Sequence, residues 1–421
     1  MIFTVCACGA NGGKSNATGS KQGEAGPDKN YATTIYVCGT WGNFEALEAA
    51  AQLFNKEYPN IQVVYEQLGN FGSDLKNRFV SGENIDIYFF DWMLTNDERY
   101  AYYWENAEDL SGKLDFGTIP AEYLETGMVN GKQYLVPIYE HSYGMMVNED
   151  LLKAHDLKVP GTYGEFIECC ERLKADGIYP VLVADSDYLT QIYFDHIYRT
   201  VIQSGNAKAL AGEIVSGNDS AGFVENTLKL MDEFNKADYV HPDSMGLEDN
   251  YNSAILRFFE GDIAFVPFIT ASFSGTKKRE AKSEAFTANP FTYSFVPSMC
   301  TNGYENSVQQ LGTVYMGVFK GIADEKKPYV TEFLQFLMND EGSEALATVK
   351  NMPTANKNVG NKSFPYLESL KKDERVYIGM RQDGDYMLKL NQLLRTASTL
   401  YSEGITADEL LKEAVEKVKE K

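Results

Sequence analysis

Short β-rich runs alternate with helix-periodic stretches from Thr34 onward, and no other feature narrows the fold as much. Thr34-Ile35-Tyr36-Val37-Cys38 has the β-branched and aromatic content of a strand. Leu47, Ala50, Ala51 and Phe54 then recur at helical spacing, with Asn43 placed to cap that helix. Ile61-Gln62-Val63-Val64-Tyr65 reads as a second strand, and Phe71 to Val80 as a helix with Leu75 and Phe79 on one face. Ile85-Asp86-Ile87-Tyr88-Phe89-Phe90 is nearly continuous in apolar residues, as a strand covered on both faces should be. A β-α-β-α-β order implies an α/β lobe with a parallel sheet at its centre.

The pattern continues with less regularity. Tyr134-Leu135-Val136-Pro137, Tyr143 to Val147, Val181-Leu182-Val183-Ala184, Ile263 to Val266, Tyr293 to Val296 and Val314 to Phe319 read as strands. Helices are expected from Asn148 on, and over 190–204, 221–236, 253–260 and 326–338. Thr162-Tyr163-Gly164-Glu165 fits a capping box ahead of Phe166, and Thr406-Ala407-Asp408-Glu409 fits one ahead of a closing helix. No internal repeat is visible.

Charge excludes several functions. Lys plus Arg number 38 against 60 Asp plus Glu, so the chain carries a formal charge of −22. A surface that acidic repels phosphate backbones and anionic lipid, which argues against nucleic-acid binding and against a basic membrane-docking patch. No run of 18 or more apolar residues occurs, so nothing in the chain spans a membrane as a helix.

The first residues, Met1-Ile2-Phe3-Thr4-Val5-Cys6-Ala7-Cys8, resemble the end of a bacterial lipoprotein signal. Ala7 stands as the small residue and Cys8 as the lipid acceptor, which makes 1–7 a signal remnant whose start lies upstream. From Gly9 to Asn30 there is no Val, Ile, Leu, Met or aromatic residue. Such a segment cannot bury enough apolar area to offset its ordering entropy, so 8–30 reads as a disordered tether, its ends about 25 Å apart on average. Gly12-Gly13-Lys14-Ser15 mimics the close of a phosphate loop, but Cys8 sits where the motif needs its first Gly. Cys38, Cys169, Cys170 and Cys300 have no metal-ligand spacing, and Cys170 shares a helical face with Phe166, Ile167 and Leu173, as a core residue would. Whether any of the four pair is left open.

Six segments, in order, resemble the extracellular solute-binding proteins of sugar ABC importers, the type that includes maltose-binding proteins. They are Phe54 to Val63 (Phe-Asn-Lys-Glu-Tyr-Pro-Asn-Ile-Gln-Val), Asn130 to Pro137 (Asn-Gly-Lys-Gln-Tyr-Leu-Val-Pro), Met145 to Leu152, Pro160 to Phe166, Phe259 to Phe265 and Ile405 to Val415. The resemblance implies two α/β lobes, each a mixed sheet flanked by helices, with ligand held in the cleft between them. The first lobe would take 31–140 and 301–349, the second 141–300 and 350–421. The crossings would lie near His141–Val147, Pro297–Gly312 and Lys350–Pro353.

Sugar recognition needs flat aromatic faces against C–H surfaces and planar polar groups for hydroxyls. Open sheets place ligands beyond the carboxyl ends of their strands, and the loops there supply the candidates. Trp41-Gly42-Asn43 follows the first strand, with Trp41 placed to stack and Asn43 serving as ligand contact or as helix cap. Asp91-Trp92 follows the third strand directly, an acid beside an indole. Tyr139-Glu140-His141 sits where the chain should leave the first lobe, so Glu140 faces the cleft floor, while His141 is more simply a structural contact. Asp185-Ser186-Asp187-Tyr188 lacks the Gly of a calcium loop, which leaves Tyr188 as a stacking residue from the second lobe. Phe268 and Phe273 stand in for a Trp that the family often carries near Ala271. Gln309-Gln310-Leu311-Gly312 is a weaker candidate for the cleft.

The expected protein is a monomer, lipid-anchored on the extracellular face of a bacterial membrane. It captures a carbohydrate by lobe closure and passes it to the permease of an ABC importer, with no cofactor, metal or chemical step. Two rivals stand beside it. One is a secreted carbohydrate-active enzyme using Asp91 and Glu140 as paired carboxylates. The other is a binding protein for a non-sugar solute such as a polyamine; an anion site would draw on Arg, and none of the named loops supplies one.

Overall fold

The computed structural model describes residues 27–90, 101–184, 204–247, 250–297, 308–360, 375–378 and 382–419, with positions 189, 193–194, 197–198 and 200–202. Cys8, Asp91, Trp92 and Tyr188, with most of the tether, lie outside the described residues.

The first sheet is built from β1 (Thr33–Gly39), β2 (Ile61–Gln67), β3 (Ile87–Phe90), β6 (Leu135–His141), β10 (Val308–Val318) and β11 (Arg375–Ile378), ordered β11-β10-β3-β1-β2 with β6 also on β10. β1 runs parallel to both β2 and β3, as the β-α-β-α-β reading requires. β10 enters antiparallel to β3 and β6, which makes the sheet mixed. A second, smaller sheet holds β7 (Tyr143–Asn148) between β8 (Phe265–Ile269) and β9 (Tyr293–Pro297), both antiparallel to it. Val181 joins this sheet through single parallel bridges to Val240 and Phe265, so the expected strand over 181–184 contracts to one paired residue.

Each sheet has its own core. The first gathers Ile35, Val37, Leu47, Phe54, Tyr88, Tyr139, Val314 and Phe333. Around the second, one cluster holds Phe166, Cys170, Leu228, Phe265 and Leu394, and another holds Met146, Phe258, Phe268 and Phe295. Helix α1 (Glu45–Phe54) shows how periodicity becomes packing. Its buried face is Ala46, Leu47, Ala50, Ala51 and Phe54, and the small alanines let the helix Asp340–Lys350 lie close against it. The capping box at Thr162 is present: the Glu165 N–H donates to Thr162 Oγ1 (3.2 Å) and the Thr162 N–H to Glu165 Oε2 (3.2 Å). Asn148 caps the helix Glu149–Ala154, accepting from the Leu151 N–H at 2.9 Å.

Asn43 does not cap α1. The cap position is Phe44, whose side chain is apolar, and the Asn43 amide instead donates to Glu45 Oε1 at 3.3 Å. The chain passes between the sheets at Ser142 and again between β9 and β10. The last passage differs from the expected one. Met352 and Ala355 belong to the first core and β11 pairs with β10 in the first sheet, so the chain returns to the second core only after Ile378, where the helix Gln382–Ser402 buries Leu390, Leu393 and Leu394. Among the described residues, Cys38, Cys169 and Cys170 are buried free thiols; burial pushes Cys38 up to about 12 and Cys169 up to about 11, which keeps both protonated and unreactive. No helix among the described residues is long and apolar enough to cross a membrane.

Candidate functional site

A cavity of about 500 Å³ lies between groups from the two halves of the molecule. One wall is the start of α1, Asn43 to Ala46, with the end of the helix Asp340–Lys350. The other is Ala271, Ser274, Gly275 and the run Lys277-Lys278-Arg279, carried on the short helices Thr270–Phe273 and Thr276–Glu280 that follow β8. An ion pair joins the walls: Lys278 Nζ stands 3.0 Å from Glu45 Oε2. Both partners are more than half exposed, so the pair is screened and contributes little to stability.

Trp41 lies behind Lys350, a residue of this wall. β1 ends at Gly39, where a Cβ would fall 2.3 Å from the Phe89 ring; only glycine allows that approach. The half-buried indole packs edge-on against Phe44 (4.8 Å) and Phe89 (5.4 Å) and tilted against Tyr139 (5.7 Å). The Tyr65 hydroxyl donates to the Trp41 carbonyl at 2.6 Å. Lys350 Nζ lies 3.9 Å from the indole centroid and itself lines the cavity, so the wall is formed by the ammonium with the ring beside it.

The hinge candidates are more deeply placed than a ligand contact requires. Tyr139 is fully buried in the first core, and its hydroxyl donates to the Leu346 carbonyl at 3.3 Å. Burial holds that phenol well above its ordinary range. Glu140 is buried; its Oε2 accepts from the Tyr123 hydroxyl at 2.8 Å, and its N–H donates to the Pro353 carbonyl at 3.0 Å. His141 is buried edge-on to Tyr143, and its Nε2 has no hydrogen-bond partner among the described residues. Desolvation first, and the Arg395 charge second, lower its pKa to about 4, so the imidazole is neutral at physiological pH.

Phe268 and Phe273 correct the sequence expectation. Phe268 has no exposed surface and sits opposite Gly144 within the small sheet. Phe273 is buried between Tyr293 (5.8 Å) and Phe295 (5.7 Å). Both rings belong to the core, and neither faces the cavity. Ala271, between them, does line it. Sequence reading also passed over Glu45, Lys277, Lys278, Arg279 and Lys350. The run Lys277-Lys278-Arg279 was the available signal, and a like-charge run ordinarily reads as a solvated face. Arg279 supplies the guanidinium that the loops named from sequence lacked. Among the described residues no cluster of His, Cys, Asp and Glu has the makings of a metal site.

The chain is similar to several proteins of known type. The multiple sugar-binding protein of Streptococcus mutans is 22% identical over 375 residues, covering 84% of each chain. The raffinose complex of the solute-binding protein RafE superposes with a TM-score of 0.63 at 19% identity, over 91% of this chain and 98% of the other. A chitin oligosaccharide binding protein superposes with a TM-score of 0.66 at 16% identity, over 92% and 98%. At such identities the structures attest the two-lobed fold. The family model for bacterial extracellular solute-binding proteins matches residues 39–344, from the end of β1 to within the helix Asp340–Lys350. That is a family of binding proteins rather than enzymes. A match over most of the chain, on two sheets with a cavity between their helical ends, places this protein among the bacterial extracellular solute-binding proteins.

Proposed function

We propose that the chain captures an oligosaccharide between its two lobes and delivers it to the permease of an ABC importer, acting as a monomer tethered outside the cell through a lipid on Cys8. The observation that carries this reading is the cavity walled by both halves of the molecule: α1 and Lys350 on one side, Ala271 to Arg279 on the other. A ligand that touches both walls binds the closed arrangement better than the open one, and only such differential affinity shifts a population. The S. mutans relative is described as sugar-binding, the RafE structure as a complex with raffinose, and the third as a chitin oligosaccharide binding protein. A half-exposed indole beside an amide, carboxylate and ammonium groups supplies what hydroxyl-bearing rings use. The enzyme alternative has no supporting observation, since Glu140 is engaged by Tyr123 and Asp91 lies outside the described residues. The polyamine alternative meets a wall bearing Lys277, Lys278, Arg279 and Lys350, which repels a polycation.

The test is small-angle scattering with a panel of oligosaccharides, alongside thermal shift. A cognate sugar raises the melting temperature because it binds only the native state, and lowers the radius of gyration. Stabilisation by a polyamine and by no sugar overturns the proposal. The tether is tested separately: precursor with its natural upstream sequence partitions into detergent and Cys8→Ser does not, whereas equal partitioning removes the anchor.

A further inference from the structure

Within a chain of formal charge −22, the cavity wall carries four cations, Lys277, Lys278, Arg279 and Lys350, against one carboxylate on the wall, Glu45, and a second beside it, Glu280, which pairs with Lys277 at 2.6 Å. A surface drawn at random from this composition would be acidic. The concentration of positive charge at this cavity between the lobes is therefore a property of the site. Three further observations point the same way. α1, ten residues long, presents its uncapped N-terminus to the cavity through Phe44, Glu45 and Ala46, and helix N-termini carry partial positive charge. The side-chain nitrogen of Asn351, also on the wall, is buried without an acceptor among the described residues. Val349 is an exposed apolar side chain on the same wall, suited to the C–H face of a ring.

We infer that the oligosaccharide taken by this site is anionic, bearing carboxylate or sulfate groups that Lys278, Arg279 and Lys350 receive, while Val349 covers an apolar face and the Trp41 ring backs Lys350. The inference rests on the carbohydrate reading and goes beyond it by naming the ligand's charge. Glu45 has a defined part in it. Its carboxylate stands 3.0 Å from Lys278 across the cavity, and an acidic sugar competes with it for that ammonium.

The experiment is calorimetric titration of the full chain, at 50 and 300 mM salt, with trigalacturonate, a sulfated chondroitin disaccharide, maltotriose, raffinose and inorganic phosphate. Either acidic sugar is expected to bind at least tenfold tighter than both neutral ones, with affinity falling as salt rises. The two acidic probes separate carboxylate from sulfate recognition. Lys350→Gln and Arg279→Gln should each weaken the acidic probe by about tenfold, the ordinary cost of losing one charged hydrogen bond. Glu45→Gln should strengthen it, a sign that a merely structural role for Glu45 would not produce. Tighter binding of maltotriose or raffinose than of either acid overturns the inference and leaves the carbohydrate reading standing. Phosphate alone binding as tightly as the acidic sugars overturns it in favour of a simple anion site. Binding of none of the sugars overturns both.

Discussion

The two halves of this molecule spend their aromatic residues differently. In the first, rings run from the core out toward the cavity wall: Phe89 and Phe44 are buried, and Trp41 continues the chain of contacts to a half-exposed position beside Lys350. In the second, the rings close on one another. Phe258, Phe259, Phe286, Phe291 and Tyr293 form a mutual cluster with centroids 4.5–6.3 Å apart, and Phe273 joins it through Tyr293. What the second half turns toward the cavity is Ala271 and a run of cations. The contrast teaches that the two walls offer different groups: Trp41 with Lys350 on one, and Lys277, Lys278 and Arg279 without a ring on the other. A ligand that uses both must bridge both walls, which is the physical basis of the closure proposed above.

The largest expected effect breaks the second half without touching the site. Phe268→Ala removes a wholly buried ring from a packed sheet, at a cost of about 3–5 kcal/mol in stability. Chemical denaturation of the variant should show that loss, while calorimetry at low temperature shows ligand affinity unchanged within about twofold. A variant that keeps its stability and loses affinity would return Phe268 to the cavity wall.

The next effect sharpens the junction between the halves. His141 ends β6, the last strand before the chain crosses, and its pKa is lowered from 6.5 to about 4 by burial and by Arg395. Between pH 6.5 and 4 the unfolded chain therefore binds a proton that the native chain does not, so stability rises with pH across that window and is complete above it. The loss on acidification reaches a few kcal/mol from this group alone. His141→Gln should flatten the profile between pH 4 and 6.5; an unchanged slope assigns the acid sensitivity to other groups.

A smaller effect isolates the first half. Trp41→Ala removes the indole that backs Lys350 on the cavity wall, so affinity for the cognate sugar should fall about tenfold. Because the ring also packs on Phe44, Phe89 and Tyr139, some stability is lost too. Trp41→Phe separates the two: it restores most of the packing and little of the indole face behind Lys350. Equal affinity in the alanine variant and the parent would make Trp41 a packing residue alone.

How far the sequence carried depended on whether a signal was local. The capping box at Thr162, the helix start at Asn148 and the apolar run of β3 are set within a few residues, and each was legible; that Asn148 is the cap came from the structure. Cys170 was legible because helical spacing placed it with Phe166 and Leu173, and all three are buried. Asn43 failed as a cap because the helix begins at Glu45, one residue later than a cap at Asn43 requires, which leaves Phe44 in the cap position. Val181 to Ala184 looks like a strand, yet its pairing depends on Tyr239 to His241 and Phe265, distant segments that meet it only briefly. β10 starts at Val308, six residues before the apolar run that announced it; Val308, Gln309, Gln310 and Leu311 are held there by pairing with β11. Phe268 and Phe273 show the harder limit. A ring after a strand is equally consistent with a core and with a binding wall, and only the neighbouring Tyr293 and Phe295 decide. The cations at 277–279 were invisible as site residues because their facing wall, Glu45 and Lys350, lies far away in sequence.

The smallest expected effect concerns the contact that joins the two walls. Lys278 and Glu45 meet at 3.0 Å, with their side chains 64% and 52% exposed. In water of ordinary ionic strength such a pair gains about 0–1 kcal/mol, because solvent screens the charges and two long side chains lose freedom in meeting. Lys278→Gln should therefore shift unfolding stability by less than about 1 kcal/mol, with the difference vanishing as salt is raised. The unliganded radius of gyration should also stay the same, since a contact this weak cannot set the angle between halves that each have a core of their own. A stability loss well above that range, or an expanded unliganded form in the variant, would show that the pair acts as a latch. The cations at the cavity would then serve to hold the walls together, and the contrast between the two walls would lose its connection to ligand.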